Sequence, residues 1–124
     1  MLAETLSGEG WRVEAVATGD EAVRRLAEGR RYALVLTDLK LPGADGLAVL
    51  DAALANDAAL PVVLLTGYGS VETAVAAMKK GAADFLGKPV DVDRLLLLVK
   101  RHVEARRSAA AAALLAEEAG LAGM

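Results

Sequence analysis

Apolar residues fall into two rhythms along the chain. In YALVLTD (32–38) and PVVLLTG (61–67) they stand at consecutive positions over 34–36 and 62–65, the pattern of strands buried on both faces. WRVEAVA (11–17) also reads as a short strand, and ADFLGK (83–88) as a weaker one. Helical patterns lie between them. Thr18 and Glu21 have the spacing of a capping box ahead of EAVRRLAEG, with Gly29 as its stop. Asp45 is placed to cap GLAVLDAALA, and Ser70 with Thr73 opens VETAVAAMKKG, which Gly81 closes. Strand and helix therefore alternate, which predicts an α/β fold with a parallel sheet covered by helices on both sides. From Asp91 to Ala119 neither proline nor glycine occurs, so one long C-terminal helix is expected. Leu95, Val99, His102, Val103 and Arg106 follow helical spacing and give its first half a face to bury. Beyond Arg107 the alanines offer little area, and the segment reads as a connector, a weak coiled-coil seam or a frayed end.

Composition narrows this picture. The chain has 124 residues, about one domain. Hydrophobic residues make up 55% but aromatics only 3%, so the core is expected to be aliphatic. A net charge of -3 offers no broad attraction to a phosphate backbone, which disfavours direct nucleic-acid binding. Cysteine is absent, removing disulfides and thiolate metal sites and fitting a reducing, cytoplasmic location. No apolar run is long enough to span a bilayer, and MLAETLSGEG has neither the basic start nor the apolar stretch of a signal peptide, so no membrane partner is expected.

In doubly wound sheets functional groups collect beyond the carboxyl ends of the strands. Asp38 closes one predicted strand, Thr66 the next and Lys88 the last, so three polar groups converge on one edge. A carboxylate there is a nucleophile able to accept a phosphoryl group, and a neighbouring hydroxyl and ammonium would bind the transferred oxygens and spread their charge. Such transfer normally also needs a divalent cation. Taken singly, Asp38 is as readily a turn residue, Thr66 a strand-end hydroxyl and Lys88 a solvated lysine; their common register carries the reading. His102, alone on a helix, is read as a surface or groove residue, and Lys100, Arg101, Arg106 and Arg107 as a solvated face.

TDLKLPGADGL (37–47) and PVVLLTGYGSVETAVAAMKKGAADFLGKPVDVDRL (61–95) resemble the receiver domain of two-component response regulators, a flavodoxin-like (CheY-like) fold. The resemblance is strongest to receivers of sigma-54-dependent (NtrC-type) transcriptional regulators. The intervals from 38 to 66 and from 66 to 88, 28 and 22 residues, are typical of that family. The resemblance implies a receiver over 1–105 with a helical extension or linker over 106–124, acting as a regulatory domain and not an enzyme. It implies Asp38 as phosphoacceptor, Thr66 as switch hydroxyl and Lys88 as phosphate-binding lysine, joined to Pro89 by a cis peptide. It implies Phe85 as the rotating aromatic, the Lys40 carbonyl as a ligand of Mg2+ beside Asp38, and a histidine kinase as partner.

One departure is visible. Family members open with an apolar strand ending in two acidic residues that hold the metal, whereas MLAETLSGEGW matches only the second half of the helix that follows. About 16 residues have no counterpart, in a fold whose βα units run about 30 residues. The metal site is therefore expected to be incomplete and phosphorylation impaired. The missing strand would lie between WRVEAVA and YALVLTD, in a sheet of order 2-1-3-4-5, leaving two apolar edges open. Either WRVEAVA closes against YALVLTD, or a second chain fills the gap, giving a homo-oligomer by domain swapping or strand pairing. Two functions follow: a phosphorylated switch regulating transcription through an output domain, or a phosphorylation-independent dimerisation or interaction module. A third possibility is that the coding sequence extends upstream.

Overall fold

The computed structural model describes residues 2–29, 31–40, 43, 45–67 and 71–118, with backbone only at 2, 3, 71 and 108–118. Its element order is α1 (Leu2–Ser7), α2 (Gly19–Ala27), β1 (Val35–Asp38), α3 (Gly46–Asn56), β2 (Val62–Thr66), α4 (Val71–Lys80), β3 (Asp84–Gly87) and α5 (Val92–Glu118). The strands form one parallel sheet in the order β1-β2-β3, with Val35 opposite Val62 and Val63 opposite Asp84.

Side-chain alternation along β2 divides the core into two layers. Val62 and Leu64 join Leu26 of α2, Val49, Leu50 and Ala53 of α3, and Ala74 and Ala77 of α4 on one face. Val63 and Leu65 join Leu6 of α1 and Leu95, Leu98, Val99 and Val103 of α5 on the other. All five residues of β2 are buried, as its unbroken apolar run requires. The two-layered α/β prediction is thus met.

The helix ends are met where they are described. Thr18 accepts the Glu21 amide at 3.2 Å, but the Glu21 carboxylate turns to Arg25 at 3.1 Å, so only half of the expected capping box forms. Asp45 accepts the Ala48 amide at 3.0 Å, and Gly29 and Gly81 take positive φ values just after their helices. Ser70 lies outside the described residues.

One predicted element is absent. Residues 11–16 form no strand: Trp11 and Val13 pack against the α5-side core, but the segment enters no ladder. A strand is defined by its neighbour, and propensity alone does not supply one. WRVEAVA therefore does not close against β1, which among the described residues pairs only with β2.

The long C-terminal helix is present, and charge pairs tie its first turns to the body. Arg101 reaches Asp84 at 3.0 Å, Lys100 reaches Glu9 at 3.2 Å, and Arg106 donates to Asp57 in the α3–β2 loop. The Arg106 hydrogen bond, helped by one from the Ala59 amide, holds the Asp57 carboxyl below the usual carboxylate range. A depressed folded-state pKa adds stability above the unfolded value and loses it as pH falls through the folded one. The melting difference between the native chain and Arg106→Ala is therefore expected to stay level from neutral pH to about pH 5 and to close below about pH 4. Melting curves across that range check this, and a difference unchanged at low pH would refute it. Among the described residues no helix is long and apolar enough to cross a membrane.

Candidate functional site

The three strand ends bring the expected polar groups together. Asp38 is the last residue of β1 and Thr66 the last of β2; Lys88 follows β3 directly. Backbone bonds fix their relation: the Leu39 amide donates to the Leu65 carbonyl at 3.0 Å, and the Lys88 amide to the Thr66 carbonyl at 2.7 Å. Across this edge the Lys88 ammonium lies 2.8 Å from Asp38 Oδ1. Both side chains keep partial access to solvent, 47% for Lys88 and 34% for Asp38, although the Asp38 Oδ1 atom itself is buried. Thr66 is buried, and its hydroxyl makes a long 3.4 Å contact with the Leu86 carbonyl. A weakly held hydroxyl at this edge has little to lose on changing partner.

The remaining predicted residues surround this pair. Lys40 is exposed, two residues beyond Asp38. Phe85 lies on β3 and is 37% exposed, a surface aromatic and not a core one. The Lys88–Pro89 peptide is cis.

Two neighbours were not singled out by sequence. Thr37 is buried and its hydroxyl donates to the Asp38 carbonyl at 3.0 Å. Gly46 begins α3 hard against the strand end: a Cβ there would stand 2.4 Å from the Asp38 carbonyl oxygen and 2.7 Å from Leu39 Cα. A glycine after an N-cap aspartate was the only sequence signal for that approach.

Receiver domains generally bind Mg2+. Here the fit is poor: among the described residues no three acidic, histidine or cysteine side chains gather into a metal-holding group. The Asp38 oxygen facing the edge already has an ammonium as its cation. Magnesium favours carboxylates with retained waters and substrate phosphates, and one carboxylate paired with lysine is a weak start for such a shell.

A family model described as "Response regulator receiver domain" matches residues 1–100. The nitrogen assimilation regulatory protein NtrX of Azorhizobium caulinodans is 38% identical over 109 residues, which are 86% of this chain and 24% of that protein. The response regulator protein FleR of Pseudomonas aeruginosa is 42% identical over 101 residues, 82% of this chain and 21% of that one. The chain thus spans about a quarter of the length of the curated relatives it matches. Among solved structures, the receiver domain of NtrX from Brucella abortus superposes with a TM-score of 0.76 at 40% identity, covering 83% of this chain and 87% of that domain. These relatives fit the resemblance to receivers of NtrC-type regulators.

Proposed function

The chain belongs to the response regulator receiver domain family, and on that premise we propose that Asp38 is its phosphoacceptor, slowed by the poverty of the metal site. The observation that carries this reading is the Lys88–Asp38 contact of 2.8 Å at the carboxyl edge of the sheet. In the proposed step an Asp38 carboxylate oxygen attacks the phosphorus carried on the histidine of a partner kinase. A P–O bond forms, the P–N bond breaks, and the departing imidazole nitrogen takes up a proton. Lys88 then exchanges the carboxylate for phosphoryl oxygens, and the Thr66 hydroxyl turns from the Leu86 carbonyl towards the same charge. Phe85 on β3, and the bend through Pro89 that follows the strand, would feel this change. The result passes through α4, β3 and α5 to an output domain that regulates transcription, with residues 106–124 as the connecting helix and linker.

The lack of a metal-holding group of three or more acidic, histidine or cysteine side chains among the described residues favours a second reading, a receiver that acts by protein contact without phosphorylation. The intact mass of the purified chain after incubation with acetyl phosphate, over a range of magnesium concentrations, separates the two. A substoichiometric phosphate adduct, mapped by fragmentation to Asp38 and only weakly dependent on magnesium, is expected. No adduct on a folded protein would leave the contact module standing.

A further inference from the structure

Thr37 is the buried residue of β1, and with Thr66 it makes up the buried polar residues among those described. A buried strand position beside aliphatic layers is ordinarily met by valine or isoleucine, so the hydroxyl is what needs a reason. A buried hydroxyl costs free energy unless it is bonded, and this one spends its bond on the carbonyl of the next residue, Asp38, at 3.0 Å.

The direction of the Asp38 carboxylate is set from behind, by its backbone. Oδ1 accepts no aligned hydrogen bond among the described residues. Lys88 stands 2.8 Å from it, but an ammonium on a flexible stem is a point charge with rotatable donors and imposes little direction. The backbone, by contrast, is held at three points. The peptide joining Asp38 to Leu39 is bound at both ends: its N–H donates to the Leu65 carbonyl at 3.0 Å, and its C=O accepts from Thr37. A planar peptide bound at both ends resists rocking about the strand axis. One residue on, the Leu39 carbonyl accepts from the Gly46 amide at 2.9 Å. Gly46 also lies against the Asp38 carbonyl oxygen so closely that a Cβ would not fit, which confines that carbonyl from the α3 side. Two of the three bonds join backbone to backbone and need no particular side chain. The third is given by Thr37, and so is the one that residue choice controls.

We propose that Thr37 is a positioning residue for phosphoryl transfer to Asp38: its hydroxyl locks the peptide that follows Asp38 and so fixes the line along which the carboxylate meets phosphorus. This rests on Asp38 being the phosphoacceptor. Thr37 makes and breaks no bond in the transfer, and its hydroxyl stays on the Asp38 carbonyl throughout. Its effect is on alignment. A misplacement of about 1 Å can slow a reaction about a hundredfold, and the smaller rocking freed by loss of one hydrogen bond is expected to slow this one about tenfold.

The test follows acetyl phosphate labelling of the whole chain by intact mass, at one magnesium concentration, for the native protein and for Thr37→Val, Thr37→Ser and Thr37→Ala. Valine keeps the branched shape without the hydroxyl, serine keeps the hydroxyl without the methyl, and alanine lacks both. Thr37→Val is expected to label Asp38 about tenfold more slowly than the native chain, and Thr37→Ser at a rate within about twofold of it. Amide exchange at Leu39, whose N–H belongs to the locked peptide, is expected to quicken at least about fivefold in Thr37→Val and to stay near the native rate in Thr37→Ser. Should Thr37→Val fail to fold, serine against alanine decides the same question, with serine expected to label about tenfold faster. Equal labelling of the native chain and Thr37→Val, or a slow serine variant beside a fast valine one, would assign Thr37 to packing and overturn the proposal. So would slowed labelling with no change at Leu39, because the hydroxyl would then act by another route. No adduct on the folded native chain is a different result: it removes Asp38 as phosphoacceptor, and the positioning role goes with it.

Discussion

Asp38→Asn is expected to abolish the acetyl phosphate adduct while leaving the fold in place. The amide matches the carboxylate in shape but has no anionic oxygen to attack phosphorus, so the loss is complete and not graded. The cost to stability is small because the interaction removed is a partly exposed ion pair. With 47% and 34% of the two side chains accessible, solvent screens the attraction, and the pair contributes below about 1 kcal/mol. Neither core layer includes Asp38, so its replacement opens no cavity. The thermal midpoint should therefore fall by no more than about 5 °C. Intact mass and a melting curve on the same sample check both halves. An adduct that survives on Asp45 or another carboxylate would remove Asp38 from its proposed role. Loss of the adduct together with a collapsed midpoint would make Asp38 a structural residue first.

That separation between site and core mirrors what the sequence made legible. The unbroken apolar run of Val62–Leu65 could be satisfied only by burial on two faces, and the structure buries it so. The helices announced their ends through Thr18, Asp45, Gly29 and Gly81, because capping is local chemistry between residues three or four apart. The convergence of Asp38 and Lys88 was legible for a different reason: a parallel sheet places successive strand ends side by side whatever the helices do.

The failures share a cause, since each depends on a neighbour distant in sequence. WRVEAVA has strand propensity but pairs with no strand among the described residues. LVLTD reads the same whether a strand covers its far side or not, so its half-buried state could not be inferred from its residues. Glu21 met two competing partners, and a full guanidinium at 3.1 Å prevailed over a single backbone amide. The close approach of Gly46 to the strand end arises where the β1–α3 connection brings backbone to backbone, and no pattern along the chain encodes that distance.

Gly46→Ala is expected to be the most damaging single methyl group in the domain. Its Cβ would meet the Asp38 carbonyl oxygen at 2.4 Å, Leu39 Cα at 2.7 Å and the Asp38 carbonyl carbon at 3.1 Å. All three are backbone atoms, so no side chain can turn aside, and either α3 or the end of β1 must shift. The Gly46 amide also donates to the Leu39 carbonyl at 2.9 Å, and that bond lengthens if the helix retreats. Overpacking of this kind costs about 2 to 4 kcal/mol, enough to lower the midpoint by about 10 °C or more. Gly43→Ala makes the useful comparison. Its φ of 76 disfavours a side chain, by about 1 to 2 kcal/mol, but the atoms its Cβ meets are the end of the Asp20 side chain and not backbone. The expected order is therefore Gly46→Ala well below Gly43→Ala, and Gly43→Ala below the native chain. Gly46→Ala should also slow adduct formation in the fraction that remains folded, because the strand end that shifts is the one that presents the Asp38 carboxylate. A Gly46→Ala chain as stable as Gly43→Ala would mean that the β1–α3 junction yields freely, and that Asp38 is not held by the backbone packing described here.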